Sequence, residues 1–204
     1  LHGKKDLGMH SEVVTPSVTE LVKAGVLTCA NKNFYPGKIV TAFAVGTKQF
    51  YEDLNRNELF EFKEVHWVNQ PMNIAQNDNL ISINTSLMID LTGQAASESI
   101  GTKQYSGTGG QADFVRGATH SKGGRSILAF PSTAQGGKTS RIVPHLDEGS
   151  VVTTTRADVH IIITEYGIAD LRGKSFPERA KALIAIAHPD FREDLWREYH
   201  KYHR

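Results

Sequence analysis

The sequence predicts an α/β fold, an open and mostly parallel sheet flanked by helices, and three stretches predict it. Residues 159–164 form a nearly continuous β-branched run, the pattern of a parallel strand buried on both faces. Residues 38–45 form a second buried-strand pattern, which Gly46 breaks before an amphipathic helix carrying Phe50 and Leu54. Ser175-Phe176-Pro177-Glu178 is a capping box that opens a helix with Ala180, Leu183 and Ile184 along one stripe. Strands alternating with capped helices are the signature of this class.

The other elements follow in order. Residues 6–14 read as a short extended segment, and Thr15-Pro16 supplies an N-cap and a first-turn proline. Val18, Leu21 and Val22 then fall at i, i+3 and i+4 before Gly25 ends the helix. Residues 60–68 alternate as a strand running to Asn69-Gln70-Pro71. Residues 80–90 read as a strand pair or one long strand. Ten of the chain's 18 glycines lie between Gly101 and Gly149, so the middle third is loop-rich, with short strands such as residues 126–130. Residues 151–155 read as a further strand, and His188-Pro189 opens a last helix with Phe191, Leu195 and Tyr199. No internal repeat or linker is visible, so the expectation is one α/β domain.

Size and charge narrow the function. A chain of 204 residues can bury a real core. With 23 basic and 22 acidic residues, the net charge of +1 argues against a nucleic-acid or membrane-surface role. Cys29 is the single cysteine, which fits a reducing cytoplasm and a buried structural thiol. No apolar run approaches the length of a membrane span, and no leader or lipidation motif is seen. The opening Leu1-His2-Gly3-Lys4-Lys5 reads as a processed or trimmed chain, or as the second half of something longer.

Several chemistries fail on spacing. The nine histidines are scattered, and the closest pair, His200 and His203, has no acidic or cysteine partner at ligand spacing, so no metal site is expected. Gly136-Gly137-Lys138-Thr139 imitates the end of a phosphate-binding loop, but Ser132 stands where its first glycine belongs. No Gly-x-Ser-x-Gly elbow is present. What remains is a loop and a few carboxylates. Gly107, Gly109 and Gly110 sit in Tyr105–Phe114, directly before a helix-like pattern. Such a loop can bring backbone N–H groups close to a phosphate, an oxyanion or a flat cofactor edge, or be a bare turn. Glu12, Glu98 and Glu165 each lie beside small or glycine-containing turns. Glu12 falls at a strand tip before a capped helix, where α/β folds gather ligands, and Glu165 follows a buried strand, where a carboxylate is paired or functional.

Four ordered motifs carry a resemblance. They are His10-Ser11-Glu12, Val68-Asn69-x-Pro71, Gly107-Thr108-Gly109-Gly110-Gln111-Ala112-Asp113-Phe114, and Thr164-Glu165-x-Gly167-Ile168-Ala169-Asp170-Leu171-Arg172-Gly173. Together the chain resembles the C-terminal half of the acetyl-CoA hydrolase/transferase family, in particular its 4-hydroxybutyrate and butyryl-CoA:acetate CoA-transferase branch. The likeness runs from about Asp6 to the end. It implies that residues 1–204 are a C-terminal domain whose N-terminal half is absent, with a CoA-transferase fold of the ribose-5-phosphate isomerase-like type. It implies CoA exchange between an acyl-CoA and a short-chain acid such as acetate, butyrate or 4-hydroxybutyrate.

By the same resemblance, Glu12 is the nucleophile and forms glutamyl anhydride and glutamyl-CoA intermediates. Gly109, ahead of Gly110, donates to the oxyanion, and Asn69 lies near the reacting carboxylate. Gly107, Gly110 and Glu165 contact or orient the substrate. Ser97-Glu98-Ser99-Ile100-Gly101 resembles the Ser-Glu-Asn-Gly nucleophile motif of a related class. In the family matched here that stretch is a turn before the loop, so Glu12 stands ahead of Glu98. No tightly bound cofactor and no metal are expected, with coenzyme A as substrate. The expected partners are acyl-CoA, a carboxylic acid, the N-terminal half, and a second copy in a homodimer or higher homo-oligomer. The rival readings are an acyl-CoA hydrolase and a non-catalytic half.

Overall fold

The computed structural model describes residue 1 and residues 3–202, with Tyr202 by its backbone. The chain divides into two compact units, Leu1–Leu80 with His120–Gly124, and Ile81–Thr119 with Arg125–Arg204. None of the described helices is long and apolar enough to cross a membrane.

The first unit is two successive strand–helix–strand crossovers. They run β1 (His10–Val14), α1 (Pro16–Lys23), β2 (Ile39–Ala44), α2 (Lys48–Leu54) and β3 (Phe60–Phe62). The sheet order is β1-β2-β3, with both pairings parallel. Val14, Val18, Leu27, Ile39, Phe50 and Phe60 form its core, with Cys29 buried among them. The expected amphipathic patterns place these residues correctly. Thr47 caps α2 by accepting from the Phe50 N–H at 3.2 Å. Thr15 does not cap α1, because its hydroxyl bonds that of Ser17 at 3.0 Å instead.

The strand expected over residues 60–68 is cut short. It ends at Phe62, and Val65–Val68 form a single-turn helix, α3, followed by α4 (Pro71–Ile74). Val65 and Val68 are spaced i, i+3, a helical rather than an alternating spacing, and the turn buries Val68 completely. The Glu64 carbonyl accepts the Val68 N–H at 3.0 Å and closes the turn.

The second unit runs through β4 (Ile81–Asn84), β5 (Met88–Asp90), β6 (Ala95–Ala96), β7 (Ser99–Ile100), β8 (Lys103–Gln104) and α5 (Gln111–His120). It continues with β9 (Arg125–Ala129), β10 (Thr133–Ala134), β11 (Thr139–Ser140), β12 (Ile142–Val143), β13 (Ile161–Thr164), β14 (Gly167–Asp170), α6 (Phe176–Ala185) and α7 (Pro189–Tyr202). Its main sheet has the order β14-β13-β9-β4, parallel except for β14. A smaller sheet joins β12, β5 and β6, so residues 80–90 are a strand pair whose members enter different sheets. Gly136 and Gly137 make the turn of the β10–β11 hairpin. The core gathers Ile89, Val115, Leu128, Ile162, Leu171 and Leu183. The capping box is present, with the Ser175 N–H donating to Glu178 Oε2 at 2.8 Å.

Two expectations fail here. Residues 151–155 form no strand; Thr154 makes one isolated bridge with Ala95. Side-chain hydroxyls take the hydrogen bonds a ladder would use: the Val151 N–H donates to Ser99 Oγ at 2.7 Å, and Thr153 Oγ1 accepts the Ser97 N–H at 3.0 Å. Nor is β13 buried on both faces. Ile162 and Thr164 are buried, while Ile161 and Ile163 are only half-buried. On that open side Ile83, Ile127 and Ile161 stand in register across three strands. Ile81, Ile83 and Ile168 are 56%, 66% and 69% exposed.

Candidate active site

In the first unit the focus is Glu12. It lies inside β1 rather than at its tip, because Val13 and Val14 extend the ladder by pairing with Phe43 and Ala44. Its side chain is half-buried. Asn69, the residue that ends α3, donates from Nδ2 to Glu12 Oε2. Asn69 Oδ1 is buried without a hydrogen-bond partner among the described residues. Among the described residues of this unit Oε1 of Glu12 receives no donor, so one carboxylate oxygen is oriented and the other is left for chemistry.

His10, two residues earlier, fixes this pairing. Its Nε2 donates to the Val68 carbonyl at 2.8 Å, and its Nδ1 accepts from Asn77 Nδ2 at 3.3 Å. That combination requires the neutral ring, with the proton on Nε2. Trp67 stacks on His10 with centroids 6.2 Å apart, and Phe34 stacks on Trp67 at 6.0 Å. Burial lowers the imidazole pKa from 6.5 to about 4, outweighing the carbonyl hydrogen bond. A bond between residues 58 apart leaves no sequence signal beyond the His-Ser-Glu motif itself.

The sign of the resulting pH dependence is fixed. Between about pH 4 and 6.5 the unfolded chain protonates His10 and the folded chain does not, so stability falls as pH falls through that window. The contribution is on the order of 3 kcal/mol at most. Thermal unfolding of wild type and His10→Gln across this range checks it. The wild-type melting temperature is expected to drop more steeply on acidification, and parallel curves would remove His10 as the cause.

In the second unit the glycine-rich loop is exposed and runs directly into α5. Gly109 has φ +59°, in the left-handed region, and a Cβ placed on Gly107 or Gly109 would meet open space. Gly110 accepts the Phe114 N–H at 3.0 Å through its carbonyl, so the helix begins at once. Glu98 lies behind this loop, buried with 6% exposure. Its carboxylate accepts from Thr153 Oγ1 at 3.0 Å, Gln104 Nε2 at 3.2 Å and Thr108 Oγ1 at 3.4 Å.

Glu165 sits in the turn between β13 and β14 and is gripped by Ser132. The Ser132 hydroxyl donates to Oε1 at 2.7 Å and its N–H to Oε2 at 2.8 Å. Desolvation pushes this carboxyl up, but the two Ser132 bonds and the nearby His188 together hold it below its ordinary value. Glu165 is therefore a paired carboxylate, and Ser132, fully buried, is the partner that the sequence did not mark.

The fold is that of solved CoA-transferase structures. The 4-hydroxybutyrate CoA-transferase of Porphyromonas gingivalis matches with a TM-score of 0.84 and 43% identity, over 98% of this chain and 46% of that one. RipA from Yersinia pestis matches with a TM-score of 0.94 and 48% identity, over 100% of this chain and 46% of that one. In sequence, the 4-hydroxybutyrate coenzyme A transferase of Clostridium kluyveri is 54% identical over 201 residues, 98% of this chain and 47% of its own length. Residues 46–199 match the model of the acetyl-CoA hydrolase/transferase C-terminal domain, and the chain belongs to that family. It spans about half the length of the curated relatives it matches.

Proposed function

We propose that this chain is the C-terminal half of a cytoplasmic CoA-transferase that moves CoA between an acyl-CoA and a short-chain carboxylic acid, with Glu12 as nucleophile. The observation that carries this reading is the half-buried Glu12 carboxylate, held at one oxygen by Asn69 and open at the other. Oε1 attacks the thioester carbonyl and the CoA thiolate leaves, giving an acyl–glutamyl anhydride. The thiolate attacks the glutamyl carbonyl, forming a glutamyl-CoA thioester and releasing the first acid. An incoming carboxylate attacks that thioester, expels the thiolate, and gives a new anhydride. The thiolate then attacks the new acyl carbonyl, which yields the new acyl-CoA and free Glu12. Anhydride and thioester are both activated, so no ATP is needed.

Each addition builds an oxyanion that needs preplaced donors. Gly109 supplies a backbone N–H from a loop with no side chain in the way, while Gly107 and Gly110 let the substrate approach. Asn69 orients Glu12, and Glu165, fixed by Ser132, orients substrate. Coenzyme A enters as substrate, with no tightly bound cofactor. The longer relatives support a partner N-terminal half, and homo-oligomerisation belongs to the same reading.

The family's description names hydrolases as well as transferases. The test is acyl-CoA consumption by the full-length protein, with acetate, butyrate or 4-hydroxybutyrate against water alone. Formation of the new acyl-CoA is expected to dominate. Thioester loss to water at the same rate, with or without acid, would replace transfer by hydrolysis.

A further inference from the structure

We propose that Glu98 is a positioning residue for the glycine-rich loop, its buried carboxylate holding the loop through Thr108 and Gln104 so that the Gly109 N–H stays aimed. The inference rests on the transferase reading for what the loop does, but not for how the loop is held.

Glu98 reaches the loop by two routes. Its backbone carbonyl accepts the Tyr105 N–H at 2.7 Å and the Ser106 N–H at 3.3 Å, which carries the β7–β8 hairpin ladder into the start of the loop. Its side chain then reaches past Gly107 to the Thr108 hydroxyl and back to Gln104, whose Nε2 also donates to the Ser106 carbonyl at 2.8 Å. The far end of the loop is tied separately. Gln111 Nε2 donates to Ser97 Oγ at 2.9 Å and to Thr154 Oγ1 at 3.0 Å. Every residue from Tyr105 to Gly109 is exposed. Glycines 107 and 109 would otherwise sample a wide range of backbone conformations.

The same geometry argues against Glu98 as a nucleophile. Three side-chain donors share its two oxygens, and burial leaves little room for an acyl carbon. A carboxylate accepts at both oxygens, whereas glutamine must turn an N–H₂ toward one group of donors, so the isosteric change is a sensitive probe. Thr153, which also receives the Ser97 N–H, donates to Oε2, while Gln104 and Thr108 donate to Oε1.

The experiment compares wild type, Glu98→Gln, Thr108→Val, Thr108→Ser and the Glu98→Gln/Thr108→Val pair in the full-length protein. It reads kcat, KM, melting temperature and amide exchange at residues 107–109. A donor that acts only on the oxyanion is lost as kcat and kcat/KM together, with KM within about twofold. The expected loss is about tenfold to a hundredfold for Glu98→Gln and Thr108→Val. The pair is expected to be no worse than either alone, and Thr108→Ser to keep wild-type kcat because it keeps the hydroxyl. Unchanged kcat in Thr108→Val would overturn the proposal, as would equal damage in Thr108→Ser. So would a covalent adduct on Glu98 itself. If Glu98→Gln fails to fold, exposed Thr108 decides alone. If wild type shows no CoA exchange, the transferase reading fails; faster amide exchange in Thr108→Val then still supports the tether, and unchanged exchange sinks it.

Discussion

Glu12→Gln is expected to abolish CoA transfer while leaving the fold intact. A nucleophile removed from a covalent mechanism typically costs a factor on the order of 10⁴ or more. Glutamine matches glutamate in volume, and its carbonyl can still accept from Asn69 Nδ2, so β1 and α3 keep their link and the melting temperature should hold. What glutamine lacks is the anionic oxygen that adds to the thioester. The decisive observation is mass spectrometric. Incubating the full-length protein with acyl-CoA and then hydroxylamine should leave a hydroxamate on the peptide containing Glu12, as hydroxylamine attacks the glutamyl carbonyl and displaces CoA thiol. Wild-type turnover in Glu12→Gln would end the assignment, and an adduct on Glu98 would move the nucleophile there.

Gly109→Val is the second large effect, and its cause lies in the backbone. At φ +59° a β-branched side chain costs on the order of 1–2 kcal/mol, so valine pulls the loop out of its conformation rather than clashing with a neighbour. Displacing the N–H from the oxyanion should lower kcat by a factor on the order of 10². Gly110→Val, immediately before α5, is expected to lose activity by crowding the acyl group that the proposed reaction places at this loop. Both are read from kcat and KM in the full-length protein. Unaltered kinetics in the two variants would remove the glycines from the chemistry.

What the sequence made legible and what it hid divide along physical lines. Local signals were sufficient where local forces decide. Pro16 at the start of α1, the Ser175–Glu178 box before α6 and the glycine run before α5 all mark helix starts, and the β-branched runs mark β2 and β13. The reading of residues 60–68 failed because the apolar alternation of Phe60 and Phe62 does not continue through Glu64 and His66, while Val65 and Val68 stand i, i+3 and the helical turn buries Val68. Pairings across the chain left no trace. Nothing near His10 points to the Val68 carbonyl, and nothing near Glu165 points to Ser132. The division into two units was hidden for a similar reason. The second unit begins at Ile81, inside the apolar run of residues 80–90, and residues 120–124 return to the first unit after the second has begun. The family motifs made Glu12 and Asn69 conspicuous, and their hydrogen bond gives the two a common geometry.

The isoleucine row across β4, β9 and β13 bears on how the protein reaches its structure. Ile83, Ile127 and Ile161 come from three distant stretches of chain, so the central sheet closes only after long intervening segments have been ordered, and parallel pairings of this kind form slowly. Throughout that interval β4 offers an unpaired edge beside side chains that remain open to solvent in the finished sheet. Refolding is therefore a contest between β9 reaching β4 within one chain and β4 meeting the edge of another, and protein concentration decides it.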